Sequence, residues 1–176
     1  MCVDTSRMWR YGVLVTPLAL VAWLLTGCGN AVTAEVIGMA AVTQSSHGSP
    51  VLLVKVCKDN IDTISVFASH EGLSADQPNP LIASWTSDHP ASGTIRVSIE
   101  QPRASWRPGP STPDRLRFGL AQGYVVLAQS SQQDVEVTQV SFQGRAVHEL
   151  KPGQVLVRNS HVWSRERFER EACPHD

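Results

Sequence analysis

The chain has 176 residues, of which 42% are hydrophobic, and its 15 basic and 16 acidic residues give a formal net charge of −1. This composition excludes a disordered, highly charged chain and supplies enough residues for one domain with a hydrophobic core. A nucleic-acid-binding protein usually carries a strongly basic stripe, which this balance of charges does not predict. We therefore expect no nucleic-acid partner.

The N-terminal segment has the layout of a secretory signal peptide. Arg7 and Arg10 supply positive charge, and residues 12–25 contain no charged side chain. A charged start followed by a short apolar run is typical of an export signal. The run is shorter than the roughly 20 apolar residues that a membrane-spanning helix needs, so export rather than membrane insertion is predicted.

Residues 25–28 read Leu-Thr-Gly-Cys, and this motif resembles a bacterial lipobox. The resemblance implies that Cys28 receives a diacylglyceryl group and becomes the mature N-terminus. We therefore expect a lipoprotein signal peptide at residues 1–27, a lipidated tether at residues 28–34 and a folded domain at residues 35–176. Two acyl chains suffice for stable membrane anchoring. The alternative is an exported protein that is cut nearby, with Cys28 free or paired in a disulfide.

From residue 35 onward, short apolar runs alternate with turn residues, a pattern typical of β-strands. Strands are predicted over residues 35–43, 51–57, 61–68, 81–86, 94–100, 115–118, 124–129, 134–142 and 155–157. Residues 58–60 (Lys-Asp-Asn) are predicted to form a turn. The segment 101–113 contains four prolines and is predicted to be a loop, because proline cannot donate a backbone hydrogen bond. Residues 145–150 are predicted to form a helical turn.

About eight short strands predict an all-β fold, specifically an immunoglobulin-like antiparallel β-sandwich with a short C-terminal helix. Residues 118–126 resemble the strand E to strand F corner of immunoglobulin-like and fibronectin-III-like domains. The resemblance implies that Tyr124 opens a strand and hydrogen-bonds back to the upstream backbone. In the tail, Ser164 is a candidate helix N-cap. Phe168 and Ala172 lie four residues apart, on one face of the predicted helix.

Two further cysteines, Cys57 and Cys173, remain in the predicted domain. In an oxidising compartment an isolated pair favours a single disulfide. The bond would tie the C-terminal tail to an early strand. Two buried free thiols or a redox pair are the alternatives, although the Cys-x-x-Cys spacing of redox pairs does not occur in the sequence.

The sequence contains no motif that indicates catalysis. Gly-x-Ser-x-Gly, Ser-x-x-Lys and His-Glu-x-x-His do not occur in it. The six histidines stand far apart, and no two of them have the i,i+2 or i,i+4 spacing of metal ligands. We therefore expect no catalytic residues, no cofactor and no metal site.

One group of residues has the character of a binding surface. Arg103, Trp106, Arg107, Arg115 and Arg117 cluster around the proline-rich loop. Arginine pairs with planar anions and tryptophan stacks on rings, so an anionic wall polymer, a lipid headgroup or a partner protein could bind there. The structural alternative is that the tryptophan fixes the loop to the domain while the arginines stay solvated.

The whole chain resembles the small lipoproteins of high-GC Gram-positive bacteria. The shared features are the lipobox, Val-Lys-Val-Cys at residues 54–57, Leu-Lys-Pro-Gly-Gln-Val-Leu at residues 150–156 and the Phe-x-x-x-x-Cys tail. The resemblance implies location and architecture but no activity. We expect a non-catalytic interaction module, lipid-anchored at the extracytoplasmic face of the cell membrane, with an envelope protein or wall polymer as partner. The alternatives are a small-ligand or glycan-binding lipoprotein and an envelope enzyme.

Overall fold

Nine β-strands and two short α-helices make up most of the computed structural model, which describes residues 34–102 and 104–173. The predicted signal peptide and Cys28 lie outside these described residues. The elements are β1 Glu35–Gln44, β2 Pro50–Ala68, β3 Leu81–Ser98, β4 Trp106–Pro108, β5 Gly123–Gln129, β6 Val135–Thr138, β7 Val140–Gln143, α1 Gly144–His148, β8 Gln154–Val157, β9 His161–Ser164 and α2 Arg165–Glu171. Neither helix of the described chain has the length and hydropathy needed to cross a membrane.

The strands form one hydrogen-bonded network in the order β4-β3-β2-β5-β6-β1-β8-β9, with β7 added to β5. Because β1 also pairs with β2, the strands β1, β2, β5 and β6 close into a ring. The pairing of β1 with β6 is parallel, and the other pairings are antiparallel. The all-β class is thus confirmed. The finer prediction of an immunoglobulin-like sandwich is not confirmed, since these strands form a closed four-stranded barrel.

The strands β1 and β2, which close the barrel, approach each other closely at Gly38. Gly38 pairs with Val56, and a Cβ atom at Gly38 would lie 2.0 Å from the carbonyl oxygen of Lys55. Only glycine fits so close an approach of two backbones. The interior of the ring is filled by β-branched and other aliphatic side chains, among them Val42, Ile64 and Val126, all fully buried. Each contributes roughly 1.5–3 kcal/mol on burial.

The second strand is longer than the sequence predicts. Residues 58–60 are not a turn between two strands, because β2 runs unbroken from Pro50 to Ala68. Asp59 adopts a positive φ of 57°, and the register with β3 shifts between Val56 and Ile61. Aspartate tolerates this left-handed conformation better than most residues. The strand therefore bends without ending, so its first half pairs with β1 and its second half with β5.

The third strand joins two predicted strands in the same way. Residues 81–86 and 94–98 belong to one continuous strand, β3, which follows β2 from the Val51–Ser98 pair to the Phe67–Leu81 pair and ends two residues earlier than predicted. Conversely, the single strand predicted over residues 134–142 is two strands, β6 and β7, because the burial pattern changes phase at Gln139. Both the continuity of β3 and the division of residues 134–142 into two strands depend on pairing with strands that are distant in sequence.

The strand predicted over residues 115–118 is wrong. This segment is irregular, and Leu116 anchors it with a buried side chain and a backbone N–H that donates to the Glu100 carbonyl at 3.1 Å. β5 pairs with β2, β6 and β7, and not with this segment. The hydrogen bond expected of Tyr124 is present, since its hydroxyl accepts from the Gly119 N–H at 2.7 Å. Phe118 packs edge-on against the same ring, 4.7 Å between centroids.

The C-terminal residues build a second, smaller core on the outer face of β1 and β2. The helix α2 starts as predicted, with Ser164 Oγ accepting from the Arg167 N–H at 3.1 Å. It places Phe168, which is fully buried, against a cluster of small and aliphatic side chains: Ala41, Leu53, Val155, Val157 and Ala172. This layer buries both faces of β1 and of the first half of β2. It explains the nearly continuous apolar run at residues 51–57.

The predicted disulfide is present between Cys57 and Cys173, whose Cα atoms are 5.6 Å apart. It joins the end of the α2 layer to the bend in β2.

The strand at residues 155–157 corresponds to β8, although β9 follows it as a further edge strand. The helical turn predicted near residue 145 is α1.

Candidate functional site

A tight turn between β1 and β2 forms one end of the barrel. Ser45 organises it: its hydroxyl oxygen accepts from the backbone N–H groups of His47 (3.3 Å) and Ser49 (3.1 Å). The Ser45 carbonyl accepts from Gly48, whose φ of 81° favours glycine. This turn lies ten residues along β1 from the point where the described chain begins, at Ala34. At about 3.3 Å per residue, the length of the strand separates the two by roughly 30 Å.

A cavity of about 450 Å³, the Lys151 groove, opens on one side of the turn. Hydroxyl, amide and cationic side chains dominate its lining, which consists of Thr43, Gln44, Ser45, Ser46, Gly48, Lys151, Pro152, Gly153 and Arg165. Proline is the one apolar side chain among these described residues. A groove of this composition suits a polar ligand, because apolar ligands are held mainly by apolar and aromatic side chains.

Hydrogen bonds hold the walls of the Lys151 groove together. The Thr43 hydroxyl donates to the Gln154 carbonyl at 2.8 Å, and the Gln44 side chain donates to the Leu150 carbonyl. The Arg165 N–H donates to the Gly153 carbonyl at 2.8 Å. Three separate parts of the chain, namely the end of β1, the loop before β8 and the start of α2, are thereby fixed around one space. The groove is thus formed before any ligand arrives.

A second cavity of about 320 Å³, the Trp106 groove, lies on the other side of the turn. Its lining residues are Ser45, Val51, Arg96, Val97, Ser98 and Trp106. Ser45 lines both cavities and so stands between them. Trp106 is only 9% exposed, so its ring and Val97 form an apolar floor rather than an open stacking platform.

The structure separates the residues of the predicted surface. Trp106 is part of the hydrophobic core, as the structural alternative predicts for it, and its neighbour Arg107 forms an exposed ion pair with Asp88. Arg115 and Arg117 are exposed on either side of the buried Leu116. Neither lines the Trp106 groove, and Arg103 lies outside the described residues.

The cation beside Trp106 is instead Arg96, which the sequence places only on the polar face of a strand. The sequence did not indicate Lys151 or Arg165 as site residues either, since the residues around Lys151 suggest a turn and those around Arg165 suggest the start of a helix. Within residues 34–102 and 104–173, neither Arg96 nor Lys151 takes part in an ion pair. No carboxylate is among the described lining residues of either groove. Each groove therefore presents one cation that has no ion-pair partner, Arg96 in one and Lys151 in the other, whereas Arg165 interacts electrostatically with its neighbour Glu166.

One carboxylate, Asp62, is buried, with 2% of its surface exposed. Its oxygens accept from the Ser131 N–H (2.8 Å), the Ser131 hydroxyl (2.7 Å) and the Thr63 hydroxyl (2.9 Å). Burial alone would raise the pKa of this carboxyl, but the Ser131 and Thr63 hydrogen bonds outweigh it and hold the pKa below its ordinary value. The Asp62 carboxylate is ionised, and both of its oxygens accept hydrogen bonds. It therefore fastens the loop after β5 to β2 and has no proton to exchange near neutral pH. Its role is structural.

Replacing Asp62 with asparagine is expected to lower the free energy of unfolding by about 1–3 kcal/mol at pH 7, because an amide cannot accept all three hydrogen bonds. The folded-state pKa is lowered, so the contribution is complete above the unfolded value of about 3.9 and is lost as the pH falls through the folded value. Urea unfolding at pH 7, 5 and 3 measures this. The stability difference between wild type and Asp62→Asn should shrink toward pH 3.

The exposed Asp114 supplies the control for this measurement. Asp114→Asn should change stability by no more than about 0.5 kcal/mol at each pH, as surface substitutions usually do. A gap between wild type and Asp62→Asn that stays constant from pH 7 to pH 3 would contradict the structural role of the Asp62 carboxylate.

Among the described residues, no group of three or more histidine, cysteine, aspartate or glutamate side chains is arranged to hold a metal ion. A third cavity, of about 380 Å³, lies beside the Tyr124 corner and is lined by Ala68, Ser69, Glu71, Ala121, Gln122 and Gly123. It brings a single charged side chain, Glu71, to its wall. The two grooves around Ser45 are thus the better candidate site.

Comparison with known proteins gives no relative to draw on. The chain matches no protein-family model, and no curated protein or solved structure is significantly similar to it. The functional interpretation therefore depends on the residues and on the geometry of the fold.

Proposed function

We propose that this protein is a lipoprotein, held through Cys28 at the extracytoplasmic face of the cell membrane, and that it acts as a non-catalytic interaction module of the cell envelope. The observation that carries the proposal is the pair of cationic grooves at the end of β1 opposite to Ala34. A domain anchored through its N-terminal side would present this end away from the bilayer, where an envelope partner can reach it.

The disulfide between Cys57 and Cys173 supports the proposed location. Disulfides persist in oxidising extracytoplasmic compartments and are rare in the cytosol. The Tyr124 hydrogen bond supports the proposed likeness to immunoglobulin-like domains, which often serve as interaction modules, at this one corner of the fold.

The second candidate function is that of a glycan-binding lipoprotein. The polar lining of the Lys151 groove and the adjoining apolar floor of Trp106 favour it, because sugars present hydroxyl groups at their edges and C–H groups on their faces. This function is the alternative to the non-catalytic interaction module, and it makes no demand for catalytic residues.

Replacing Cys28 with alanine tests the proposed anchor. We expect the variant to move from the membrane fraction to the soluble extracytoplasmic fraction, because the acyl chains supply the membrane affinity, about 0.8 kcal/mol for each buried methylene. Fractionation of cells followed by immunoblotting measures the shift. The matched control is Cys2→Ala, which removes a cysteine from the predicted signal peptide and should leave the protein on the membrane. A Cys28→Ala protein that stays with the membrane as the wild type does would refute the anchor.

A further inference from the structure

We propose that the Lys151 groove and the Trp106 groove together bind an anionic glycan, that is, a chain of sugars carrying phosphate or carboxylate groups. This inference names the partner of the proposed interaction module. It rests on that proposal only for the location of the protein in the cell envelope, where such a partner would be met. The binding itself depends on residues that adjoin the turn at Ser45.

The charges of the two grooves suit an anionic ligand. Arg96 lies in one groove and Lys151 and Arg165 in the other, so cations flank Ser45 on both sides. Within the described residues, Arg96 and Lys151 take part in no ion pair, and no carboxylate is among the lining residues of either groove. A cation without a carboxylate partner is available to a phosphate or carboxylate, and hydrogen bonds to charged groups are the stronger ones.

The arrangement of cations on both sides of one turn favours a polymer over a single small anion. A phosphate ion would contact one groove, whereas a chain with repeated charges can occupy both at once. When one polymer chain occupies both grooves, binding in the second groove becomes an intramolecular step, and the overall affinity rises. Each cavity lies within the range of about 300–1,000 Å³ that ligand sites occupy.

Polar atoms in the grooves also suit sugar hydroxyl groups. The Ser45 hydroxyl oxygen accepts two backbone hydrogen bonds, which leaves its proton free to be donated to a ligand. Ser46 is exposed beside it, and within the described chain its side chain makes no hydrogen bond. The strip of Trp106 and Val97 that lines the second groove gives the C–H face of a sugar ring an apolar surface. These features favour a glycan over a simple polyanion.

Binding of three polymers with one backbone tests the proposal: dextran, carboxymethyl dextran and dextran phosphate. The full-length Cys28→Ala chain is titrated with each polymer by calorimetry. We expect dextran phosphate, carboxymethyl dextran or both to bind at least about tenfold more tightly than neutral dextran, since each charge-assisted contact accounts for about a factor of ten. The affinity should fall as the salt concentration rises. The two charged polymers distinguish phosphate from carboxylate as the preferred group.

Two double variants of equal charge locate the site. Arg96→Ala/Lys151→Ala removes one cation from each groove and should weaken binding at least about tenfold. Arg115→Ala/Arg117→Ala removes two exposed arginines that line neither groove and should change it by less than about threefold, the effect of distant charge alone. Both pairs of side chains are exposed or at the surface, and thermal unfolding checks that each variant folds.

Three results would overturn the assignment: equal binding of neutral and charged dextrans, equal loss in both double variants, or equally tight binding of poly-glutamate, an anionic polymer without sugars. Because the anchor is tested by fractionation and the grooves by titration, either proposal can fail while the other stands. A protein that fractionates with the membrane but binds no charged dextran would still be an anchored module, with a different partner.

Discussion

Removal of the disulfide by Cys57→Ala/Cys173→Ala is expected to lower the free energy of unfolding by about 4–5 kcal/mol. The bond closes a loop with a sequence separation of 116 residues. Without the cross-link the unfolded chain gains the entropy of that loop, while the folded state loses little, because Cys57 is exposed and creates no cavity when truncated. Urea unfolding of the wild type and the double variant at pH 7 measures the difference.

Chemical reduction of the wild-type disulfide provides a control for the double variant Cys57→Ala/Cys173→Ala, because it breaks the same bond without a substitution. A dithiol reductant should destabilise the wild type to nearly the level of the double variant and should leave the double variant unchanged. Without reductant, denatured wild type should show no free thiol from Cys57 or Cys173. Two titratable thiols at these positions, or a double variant as stable as the oxidised wild type, would contradict the role of the bond.

Phe168→Ala is expected to be similarly damaging, with a loss of about 3–5 kcal/mol. Phe168 is the largest fully buried side chain of the second core and lies between α2 and the outer face of β1 and β2. Truncation to alanine removes the buried apolar surface of the ring and leaves a cavity. The disulfide at Cys173 holds the end of α2 in place, so the helix cannot move freely to fill that cavity. Chemical unfolding measures the stability, and amide hydrogen exchange in β8 and β9 should rise if the layer loosens first.

Arg170 supplies the control on the same helix, since its side chain is exposed in the last turn of α2. Arg170→Ala should change stability by no more than about 0.5 kcal/mol. A Phe168→Ala protein that is as stable as the Arg170→Ala protein would show that the α2 layer contributes little to the fold.

Local signals in the sequence predicted several elements well. The N-cap at Ser164, the shared helix face of Phe168 and Ala172 and the hydrogen bond of Tyr124 all depend on residues within a few positions of one another. The Cys57–Cys173 pairing was predictable for a different reason: it was the simplest pairing for two cysteines in an exported domain. These cases need no knowledge of which strands are neighbours.

Long-range pairing decided the features that the sequence did not reveal. Asp59 reads as a turn residue, yet β3 follows β2 through the bend and keeps the strand continuous. The ring of β1, β2, β5 and β6 depends on β1 pairing with two strands, and on the close approach at Gly38. Neither pairing leaves a local pattern, so a sandwich of separate sheets was the natural expectation.

The candidate site was hidden for the same reason. Arg96, Lys151 and Arg165 are far apart in sequence, and their convergence around Ser45 follows from the pairing of β1 with β2 and β8 and of β2 with β3. The predicted surface was found by counting arginines near Trp106 along the chain. In the structure the cation that lines the groove with Trp106 is Arg96, from the strand β3 that pairs with β4.

The mass of the mature protein, isolated from native membranes, tests the central claim most directly. Our account predicts a chain that begins at Cys28 and carries a diacylglyceryl group on its thiol, with Cys57 and Cys173 joined. A chain with an unmodified Cys28, or one that still begins at Met1, would contradict the anchored module and its proposed orientation.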